Sequence, residues 1–423
     1  MLRFAPSPTG DMHIGDLRVA LFNHIVSQQR TEALIVRIED MDKTRNVEGK
    51  EKEILDILGL FGVDYSSVIY QSESLRYHRM MAIQLLHDKK AFSCFCTPAA
   101  LDAKRELAEK SKKAYSYDGT CSHLAPEMVI DNENPFTIRL QSPEKPIVVQ
   151  DLIKGELSFT SEEVDAFVIM SEEKYPTYNF ACAVDDMISD VSLVIRNEEH
   201  MNDTPKQIAV RDALGYDKTM EYAHLPAILN AEAFSVKGLL EEGFLPSAII
   251  NYLILIGNKT PQEIFSLEEA LVWFELAHVS NTPSHFDIDK LKLVNAQHLR
   301  NLDDKELSRY VGFADEAIGK VAKVYLDEAH TLKALRPKIE AIFAPKVIPE
   351  AFAEQTAIMR KVIMKAPHIE TFEEFKSHVM KESSLKGENF LKPLSLLLIG
   401  TQNGPEVADL YVHLKDFLGE IVK

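Results

Sequence analysis

The 423-residue chain lacks long apolar stretches, and no run approaches the roughly 18 consecutive apolar residues of a membrane span. Its first residues, Met-Leu-Arg, pass at once into turn-forming residues, which is not the pattern of a signal peptide. Internal repeats and low-complexity segments are not apparent either. With 46% apolar and 26% charged residues, the composition indicates a globular protein of two or more domains. We expect it in the cytoplasm, without a membrane partner.

Cysteine is scarce, because the chain has only four, yet three of them fall within 28 residues. In a reducing compartment such clustering favours a metal site over disulfides. Cys94 and Cys96 form a Cys-x-Cys pair, and Cys121 with His123 forms a Cys-x-His pair. Together they offer the four ligands of a tetrahedral zinc site, with Tyr115 and Tyr117 near enough in sequence to replace one. Small buried cysteines and a hydrogen-bonded histidine are the alternative.

An excess of positive charge is also lacking. The chain has 47 Lys and Arg against 65 Asp and Glu, a net charge of −18. Charge acts locally, however, and residues 301–423 carry 17 Lys and Arg against 19 Asp and Glu. A polyanion could therefore meet the C-terminal third without the strong repulsion that the average charge suggests.

The opening segment, from Arg3 to Asp16, combines a short strand, a Pro/Gly turn, a helix start and a histidine. Backbone N–H groups and the dipole at a helix N-terminus favour phosphate, and His13 can donate a further hydrogen bond. The apolar run at 34–38 completes a β-α-β unit, which predicts a parallel sheet with ligands at the carboxyl ends of its strands. The simpler reading of so short a motif is a helix-start turn with an exposed histidine.

Helix and strand patterns divide the chain further. We predict an α/β fold, with a Rossmann-like parallel-sheet domain over 1–90 and 180–230 and an α+β insertion over 91–179. From about 235 onward the pattern is almost entirely helical and is punctuated by prolines.

Five motifs carry a resemblance to a known family. They are His13-Ile14-Gly15-Asp16, Arg37-Ile38-Glu39-Asp40-Met41-Asp42, Pro176-Thr177-Tyr178-Asn179-Phe180-Ala181, Val194-Ile195-Arg196 and Phe286-Asp287-Ile288-Asp289-Lys290-Leu291. In this order, and over nearly the whole chain, they resemble bacterial glutamyl-tRNA synthetase, a class I aminoacyl-tRNA synthetase. The resemblance implies ATP-dependent attachment of L-glutamate to tRNA through a glutamyl-adenylate, with ATP and Mg²⁺ as substrate and with activation that requires bound tRNA. A monomer is expected.

The resemblance also gives the regions their roles. It implies a catalytic domain over 1–90 and 180–230, and an acceptor-stem-binding insertion with structural zinc, held by Cys94, Cys96, Cys121 and His123, over 91–179. A helical stem-contact domain over 231–285 and an α-helical anticodon-binding domain over 286–423 complete the chain. Whether tRNA(Glu), tRNA(Gln) or both are charged stays open.

Glutamate itself suggests what its pocket needs. It has two carboxylates and one ammonium group, so two arginine forks and one anion are expected. The resemblance assigns the glutamate pocket to Arg3, Ala5, Ser7, Glu39, Tyr178 and Arg196, with Glu39 holding the ammonium group. It assigns ATP to Thr9, His13 and Gly15, where His13 contacts phosphate and Gly15 lets adenine approach the backbone. Which arginine takes which carboxylate stays open, and ordinary strand-end surface charges are the alternative.

The chain departs from the family pattern in several places. Asp16 stands where relatives often have His, and Ser395 where they often have Arg, which leaves helical tRNA contacts in doubt. Asp185 and Asp186 are expected to fix a turn or to contact the RNA terminus. Between Asn230 and Phe234 the lysine-rich KMSKS loop, which stabilises the leaving pyrophosphate, is missing.

Roughly ten residues are missing there by this comparison, and two explanations stay open. Either the loop is deleted, which would cripple activation, or the printed sequence omits a mobile stretch, which we favour because loops over phosphates are commonly mobile. A true deletion would favour a non-catalytic tRNA-binding paralogue. A glutamyl-transferring enzyme that modifies a tRNA base is the other alternative, although it lacks a long helical C-terminal region.

Overall fold

The computed structural model describes residues 1–112, 115–231, 233–402 and 404–423. Within them the strands are, in chain order, β1 (Leu2–Phe4), β2 (Leu34–Ile38), β3 (Ser67–Tyr70), β4 (Ala91–Cys94), β5 (Thr137–Leu140), β6 (Ile147–Asp151), β7 (Gly155–Phe159), β8 (Val168–Met170), β9 (Leu193–Asn197), β10 (Glu221–Leu225), β11 (Ile228–Leu229) and β12 (Ser284–His285).

The α-helices alternate with these strands and then continue alone. They are α1 (Ile14–Arg30), α2 (Lys50–Leu60), α3 (Leu75–His87), α4 (Pro98–Lys110), α5 (Pro126–Ile130), α6 (Ser161–Val164), α7 (Tyr178–Ile188), α8 (Thr204–Ala213), α9 (Val236–Glu241), α10 (Pro246–Leu255), α11 (Leu267–Trp273), α12 (Ile288–Asn301), α13 (Asp304–Tyr310), α14 (Glu316–Val324), α15 (Leu332–Phe343), α16 (Ala353–Ile363), α17 (Phe372–Ser383), α18 (Glu388–Ile399), α19 (Val407–Leu414) and α20 (Leu418–Ile421). None of these helices combines the length and apolar character that crossing a membrane requires.

Side-chain caps explain where many of the helices begin. In each case a Ser, Thr or Asp oxygen accepts a hydrogen bond from a backbone N–H of the first turn, which has no partner inside the helix. These caps are Thr97, Thr160, Ser266, Asp287, Asp303, Asp315, Thr331 and Thr371.

A seven-stranded sheet organises the first part of the chain, in the order β3-β2-β1-β9-β10-β6-β7. All neighbours are parallel except the edge strand β7, which is antiparallel to β6. Strands β1, β2 and β9 are buried almost throughout, as expected of parallel strands covered on both faces. The predicted parallel-sheet α/β fold is therefore confirmed.

The segment 91–179 forms a second sheet only in part. Strands β4, β5 and β8 make a separate antiparallel sheet, but β6 and β7 join the large sheet beside β10. The sequence pattern grouped all these strands together because alternation shows that a strand exists but not which partner it pairs with. As a result, β6 ends beside the strands that carry the candidate site.

The chain divides into two compact units, one of Met1–Val236 with Leu253–Phe286, the other of Lys237–Tyr252 with Asp287–Lys423. Residues 231–285 are thus shared between the units, and their role in stem contact stays a prediction. The second unit is helical, as predicted. Inside it α13 and α14 pack so closely that a Cβ at Gly319 would lie 1.7 Å from the carbonyl oxygen of Asp304, so only glycine fits there.

Candidate active site

A cavity of about 420 Å³ opens at the carboxyl ends of β1, β2 and β9 in the first unit. Nearly all the predicted site residues line it, namely Arg3, Ala5, Ser7, Thr9, His13, Glu39, Tyr178 and Arg196. Gly15 lies in the first turn of α1 and is not among the lining residues, but a Cβ placed on it would meet no heavy atom within 4 Å. That open space leaves room for a ligand to approach the backbone.

Arg3 is held inside the protein by a carboxylate. Its Nε donates to both carboxylate oxygens of Asp186 at 3.3 Å, and Arg37 donates to one of the same two oxygens. All three side chains are at most 5% exposed. Burial alone would raise the pKa of Asp186, but the two adjacent guanidinium groups outweigh it and lower the pKa to about 2.

Asp185 and Asp186 therefore do not act as expected from the sequence. Asp186 pairs with arginines from two strands, and Asp185 accepts hydrogen bonds from Gln71 at 2.9 Å and contacts His78 Nε2 at 2.7 Å. Both carboxylates are 3% exposed or less, so neither fixes a surface turn or is available to an RNA terminus. The expectation was wrong because a helix that is buried on this face, α7, carries them inward.

Glu39 follows β2 directly and faces the cavity. Its Oε1 accepts a hydrogen bond from Arg37 at 3.2 Å and from the Cys182 thiol at 3.2 Å. These contacts fix one carboxylate oxygen. An ammonium group in the cavity would find the anion that the sequence predicts at this place.

Arg196 is bound in a different way from Arg3. It is 5% exposed and donates to His224 Nε2 at 3.2 Å, to Gln207 Oε1 at 3.0 Å and to Thr204 Oγ1 at 2.6 Å. Among the residues that the structure describes, none of its hydrogen-bond partners is a carboxylate. Its guanidinium group is therefore held in place by neutral side chains.

The three arginines at this end of the cavity differ in their partners. Arg3 and Arg37 contact the carboxylates of Asp186 and Glu39. Arg196 is the one of the three whose hydrogen-bond partners in the described residues include no carboxylate.

Tyr178 belongs to a series of hydrogen-bonded polar side chains at the wall of the cavity. Its hydroxyl lies 3.3 Å from Nδ1 of His200, and the same nitrogen lies 3.2 Å from a carboxylate oxygen of Asp203. Asn179 donates to the other oxygen of Asp203 at 2.9 Å. These contacts direct the hydroxyl, while Tyr178 as a residue remains 41% exposed.

The other end of the cavity is more open. His13 is exposed and precedes the first residue of α1, and its backbone pairs with Ser235 in an isolated bridge. Asp16 and Glu199 also line this end. Burial raises the pKa of the Asp16 carboxyl, with Glu199 adding to the effect and His13 opposing it. Phosphate would meet carboxylates here as well as the helix N-terminus, so this end requires a cation.

The short segment where the lysine-rich loop is missing closes beside His13. Phe234 donates a backbone hydrogen bond to Ala231 at 2.9 Å, and Val236 donates to Met12 at 2.9 Å. Glu232 lies outside the described residues. An extra loop between Ala231 and Phe234 would therefore begin and end next to the open end of the cavity.

Three of the four predicted metal ligands lie together. The sulfur atoms of Cys94, Cys96 and Cys121 are all within 4.8 Å of one another, and His123 is exposed and not part of that group. The Tyr117 hydroxyl lies 3.4 Å from the sulfur of Cys94 and 3.5 Å from that of Cys96. This cluster is separate from the cavity.

Comparison with known proteins identifies the chain. Residues 1–293 match the family described as "tRNA synthetases class I (E and Q), catalytic domain". The chain belongs to this family. "Glutamate--tRNA ligase 2" of Sulfurimonas denitrificans is 61% identical to this synthetase over the full length of both chains. "Glutamate--tRNA ligase 1" of Nitratiruptor sp. is 50% identical, again over both full lengths.

A solved structure agrees with this assignment. The crystal structure of a glutamate tRNA ligase from Elizabethkingia meningosepticum, in complex with its amino acid, matches this synthetase with a TM-score of 0.83. The two sequences are 26% identical, and the match covers 100% of this chain and 98% of the Elizabethkingia chain. The predicted resemblance to glutamyl-tRNA synthetase is thereby confirmed.

The alignments also bear on the missing loop. They extend over 432 positions with the Sulfurimonas and Nitratiruptor ligases, whereas this chain has 423 residues. At least nine positions therefore have no counterpart in this chain. Their number agrees with the length expected for the gap between Asn230 and Phe234.

Sequence reasoning missed several side chains around the cavity, namely Arg37, Cys182, His200 and the pairing role of Asp186. One signal was available. Arg37 is the single charge in the otherwise apolar strand β2, and a charge so placed is almost always paired. Cys182 and His200 gave no comparable signal, because both belong to elements whose inner faces only the fold reveals.

The cysteine cluster fits zinc in its spacing. Two thiolates bound tetrahedrally at about 2.3 Å lie about 3.8 Å apart, and the sulfur atoms of Cys96 and Cys121 are 3.7 Å apart. One pair of sulfur atoms therefore has the separation that a shared zinc ion requires, and the sulfur of Cys94 lies within 4.8 Å of both. The fourth place is less defined, because Tyr117 is close to it and His123 is not in the group.

Proposed function

We propose that this synthetase attaches L-glutamate to tRNA through a glutamyl-adenylate, using ATP with Mg²⁺ as substrate. The observation that supports this most directly is the cavity, where Glu39 and Arg196 stand at the carboxyl ends of β2 and β9, on either side of β1. Relatives that bear the name glutamate--tRNA ligase match the chain along its whole length.

An arginine without a carboxylate partner favours glutamate over glutamine. The side-chain carboxylate of glutamate supplies the anion that Arg196 lacks among its hydrogen-bond partners in the described residues, whereas the glutamine side chain is neutral. In this assignment Arg196 binds the side-chain carboxylate in a bidentate fork. Glu39 holds the ammonium group, Tyr178 and Ser7 add hydroxyl hydrogen bonds, and Ala5 contributes backbone. Arg3 then acts mainly through its pair with Asp186 and adds positive potential near the α-carboxylate.

Catalysis in this proposal consists of positioning and charge stabilisation. A carboxylate oxygen of the bound glutamate attacks the α-phosphorus of ATP in line, and the bond to pyrophosphate breaks. His13, Thr9 and the N-terminus of α1 bind phosphate oxygens, Gly15 leaves space for the nucleotide, and Mg²⁺ offsets the charge of Asp16 and Glu199. A hydroxyl of the terminal ribose of tRNA then attacks the acyl carbon, and AMP leaves.

The tRNA partner is assigned to the remaining regions. We place the acceptor stem on the insertion over 91–179 and the anticodon on the helices over 286–423. Ser395 does not offer a free hydroxyl for this purpose, because it donates to the carbonyl of Thr401 at 2.7 Å. Whether tRNA(Glu), tRNA(Gln) or both are charged therefore rests on other helical residues.

Zinc in this proposal is structural. Cys94, Cys96 and Cys121 would hold it, with Tyr117 or a rearranged His123 as the fourth ligand. It would link β4 to the loop that contains Cys121 and would supply no chemistry to the cavity.

A second candidate, a tRNA-binding paralogue with impaired activation, is favoured by one observation. At least nine alignment positions have no counterpart in this chain, and this number agrees with a deletion of the lysine-rich loop. The intact mass of the protein purified from its own cells separates the two cases. A mass of 47.8 kDa would mean that the loop is deleted, and a larger mass would mean that it is present.

Glutamate-dependent exchange of pyrophosphate into ATP, measured with and without tRNA, tests the proposed function. We expect exchange with glutamate and tRNA together, and none with glutamine. Binding of both substrates without exchange would convert the enzyme into a binding protein. Charging of purified tRNA(Glu) and tRNA(Gln) in separate reactions then defines the partner.

A further inference from the structure

His224 lies next to Arg196 but does not line the cavity. It is on β10, where it stands opposite Arg196 of β9 in the register of the two parallel strands. The histidine is fully buried, and Arg196 donates from Nε to His224 Nε2 at 3.2 Å.

The protonation of His224 follows from this contact. A guanidinium group can only donate hydrogen bonds, so Nε2 of His224 must present its lone pair. The ring proton then lies on Nδ1, which contacts a carboxylate oxygen of Asp151 at 2.7 Å. Burial lowers the pKa of His224, with Arg196 acting in the same direction and Asp151 opposing, so the neutral ring is favoured.

Asp151 is itself fixed by its own surroundings. It is the last residue of β6, is 5% exposed, and accepts hydrogen bonds from the backbone of Ile153, Lys154 and His224. A buried series of hydrogen bonds thus leads from Asp151, at the end of β6, through His224 to Arg196. Each hydrogen bond fixes the orientation of the side chain that takes part in it.

The remaining contacts of Arg196 determine which of its N–H groups are left for a ligand. Gln207 and Thr204 each occupy one N–H of a terminal nitrogen, and His224 occupies the single N–H of Nε. A guanidinium group has five N–H bonds, so one is left on each terminal nitrogen. Two N–H bonds from one plane are what a bidentate carboxylate requires.

We propose that His224 is a positioning residue that sets the plane of the Arg196 guanidinium for a substrate carboxylate, and that Asp151 fixes the tautomer of His224 for this task. The assignment rests on the proposed function, because it presumes that Arg196 binds glutamate. It adds a residue outside the cavity to the determinants of amino-acid affinity.

Two amide substitutions of His224, each of which replaces one of the two ring nitrogens, distinguish this positioning role from a role in packing alone. In His224→Gln the amide oxygen reaches the place of Nε2 and still accepts from Arg196. In His224→Asn the shorter amide keeps the position of Nδ1 beside Asp151 but no longer reaches Arg196. Glutamate and ATP are titrated separately into each full-length variant by calorimetry, with circular dichroism as the check on folding.

We expect His224→Asn to raise the Kd for glutamate about tenfold or more, as loss of a hydrogen bond to a charged group does. His224→Gln should stay within about threefold of the unaltered chain, and the Kd for ATP should not change in either variant. Equal Kd values for glutamate in His224→Asn and the unaltered chain would overturn the proposal. An equal loss in both variants, or a parallel loss of ATP binding, would indicate a structural role and would also overturn it.

The proposed function has a separate readout in the same experiment. If the unaltered chain bound no glutamate, the proposed function would fail and this assignment with it. If it bound glutamate and His224→Asn bound equally well, only this assignment would fail. Should His224→Asn not fold, Asp151→Asn serves instead, because a neutral amide no longer fixes the Nδ1–H tautomer; unchanged glutamate affinity in that variant would overturn the proposal.

Discussion

The two ends of the cavity are built differently. At the end proposed for glutamate, called the amino-acid end below, Arg3 and Arg196 are 5% exposed or less, and each is held by side chains from neighbouring elements. At the end proposed for ATP, called the phosphate end below, His13 is exposed, and its segment is tied to Ser235 through the backbone. Buried, mutually satisfied groups fix geometry before the substrate arrives, whereas an exposed end must be completed by the substrate, a cation or another segment.

The largest effect is expected where two arginines share one carboxylate. Asp186→Asn leaves Arg3 and Arg37 buried without a full counter-charge, which should destabilise the sheet by about 3–5 kcal/mol. Hydrogen exchange of peptides from β1 and β2 measures this loss. The matched control is Asp190→Asn, because Asp190 pairs with Lys218 at an exposed site, where about 1 kcal/mol or less is expected.

The same pair gives a pH dependence. The pKa of Asp186 is about 2 in the folded chain, below the value of about 3.9 expected for an unfolded aspartate. Its stabilisation is therefore complete above pH about 4 and is lost as the pH falls toward 2. The difference in stability between the unaltered chain and Asp186→Asn should shrink over that window. A difference that stayed constant there would contradict the ion pair.

The next largest effect is expected at Arg196. Replacement by alanine should raise the KM for glutamate about a hundredfold or more while the KM for ATP changes little, because a buried cation of the pocket is lost. Arg196→Lys keeps the charge but not the fork and should recover only part of the affinity. Steady-state exchange kinetics measure both constants. Equal losses for the two substrates would remove Arg196 from the glutamate pocket.

A smaller effect is expected at the phosphate end. His13→Ala should weaken ATP binding or slow exchange by about tenfold, the usual effect of losing a hydrogen bond to a charged group, without changing the Kd for glutamate. His87→Ala is the control, since that histidine is also exposed and lies outside the cavity. A loss of glutamate affinity in His13→Ala would show that the two ends are not independent.

The smallest effect on substrate binding in the cavity is expected from removal of the metal. Purified protein should contain close to one zinc per chain, and a chelator should lower the melting temperature while the Kd for glutamate stays constant. Metal analysis and calorimetry provide the two readings. Zinc well below one per chain would reject the site, and a changed glutamate Kd would link it to the cavity.

The sequence brought Arg3, Glu39 and Arg196 to one cavity because these charges lie in or directly after buried parallel strands, whose carboxyl ends meet at one edge of a sheet. Arg3, Glu39 and Arg196 could be found in this way. The layer behind them could not, since Asp186, His224 and Asp151 come from segments whose strand order and helix orientation are set by tertiary pairing. In particular, the pairing of β6 with β10 brings Asp151 to His224, and nothing in the spacing indicates it.

The cysteine cluster shows which part of a candidate metal site residue spacing can predict and which part it cannot. Spacing proposed four candidate ligands, and the sulfur atoms of Cys94, Cys96 and Cys121 do lie together. His123, proposed by the Cys-x-His spacing and by the resemblance, is not in that group, because the orientation of a loop side chain depends on packing that spacing does not encode. Tyr117 lies nearer to the sulfur atoms.

In the proposed assignment the amino-acid end is already organised for glutamate before ATP or tRNA binds. Titration of glutamate and of glutamine into the 423-residue chain, without ATP or tRNA, tests it most directly. We predict that glutamate binds and that glutamine binds about a hundredfold more weakly, because the charge of Arg196 then lacks its partner. Equal affinity for the two amino acids, or no binding of glutamate, would contradict the account.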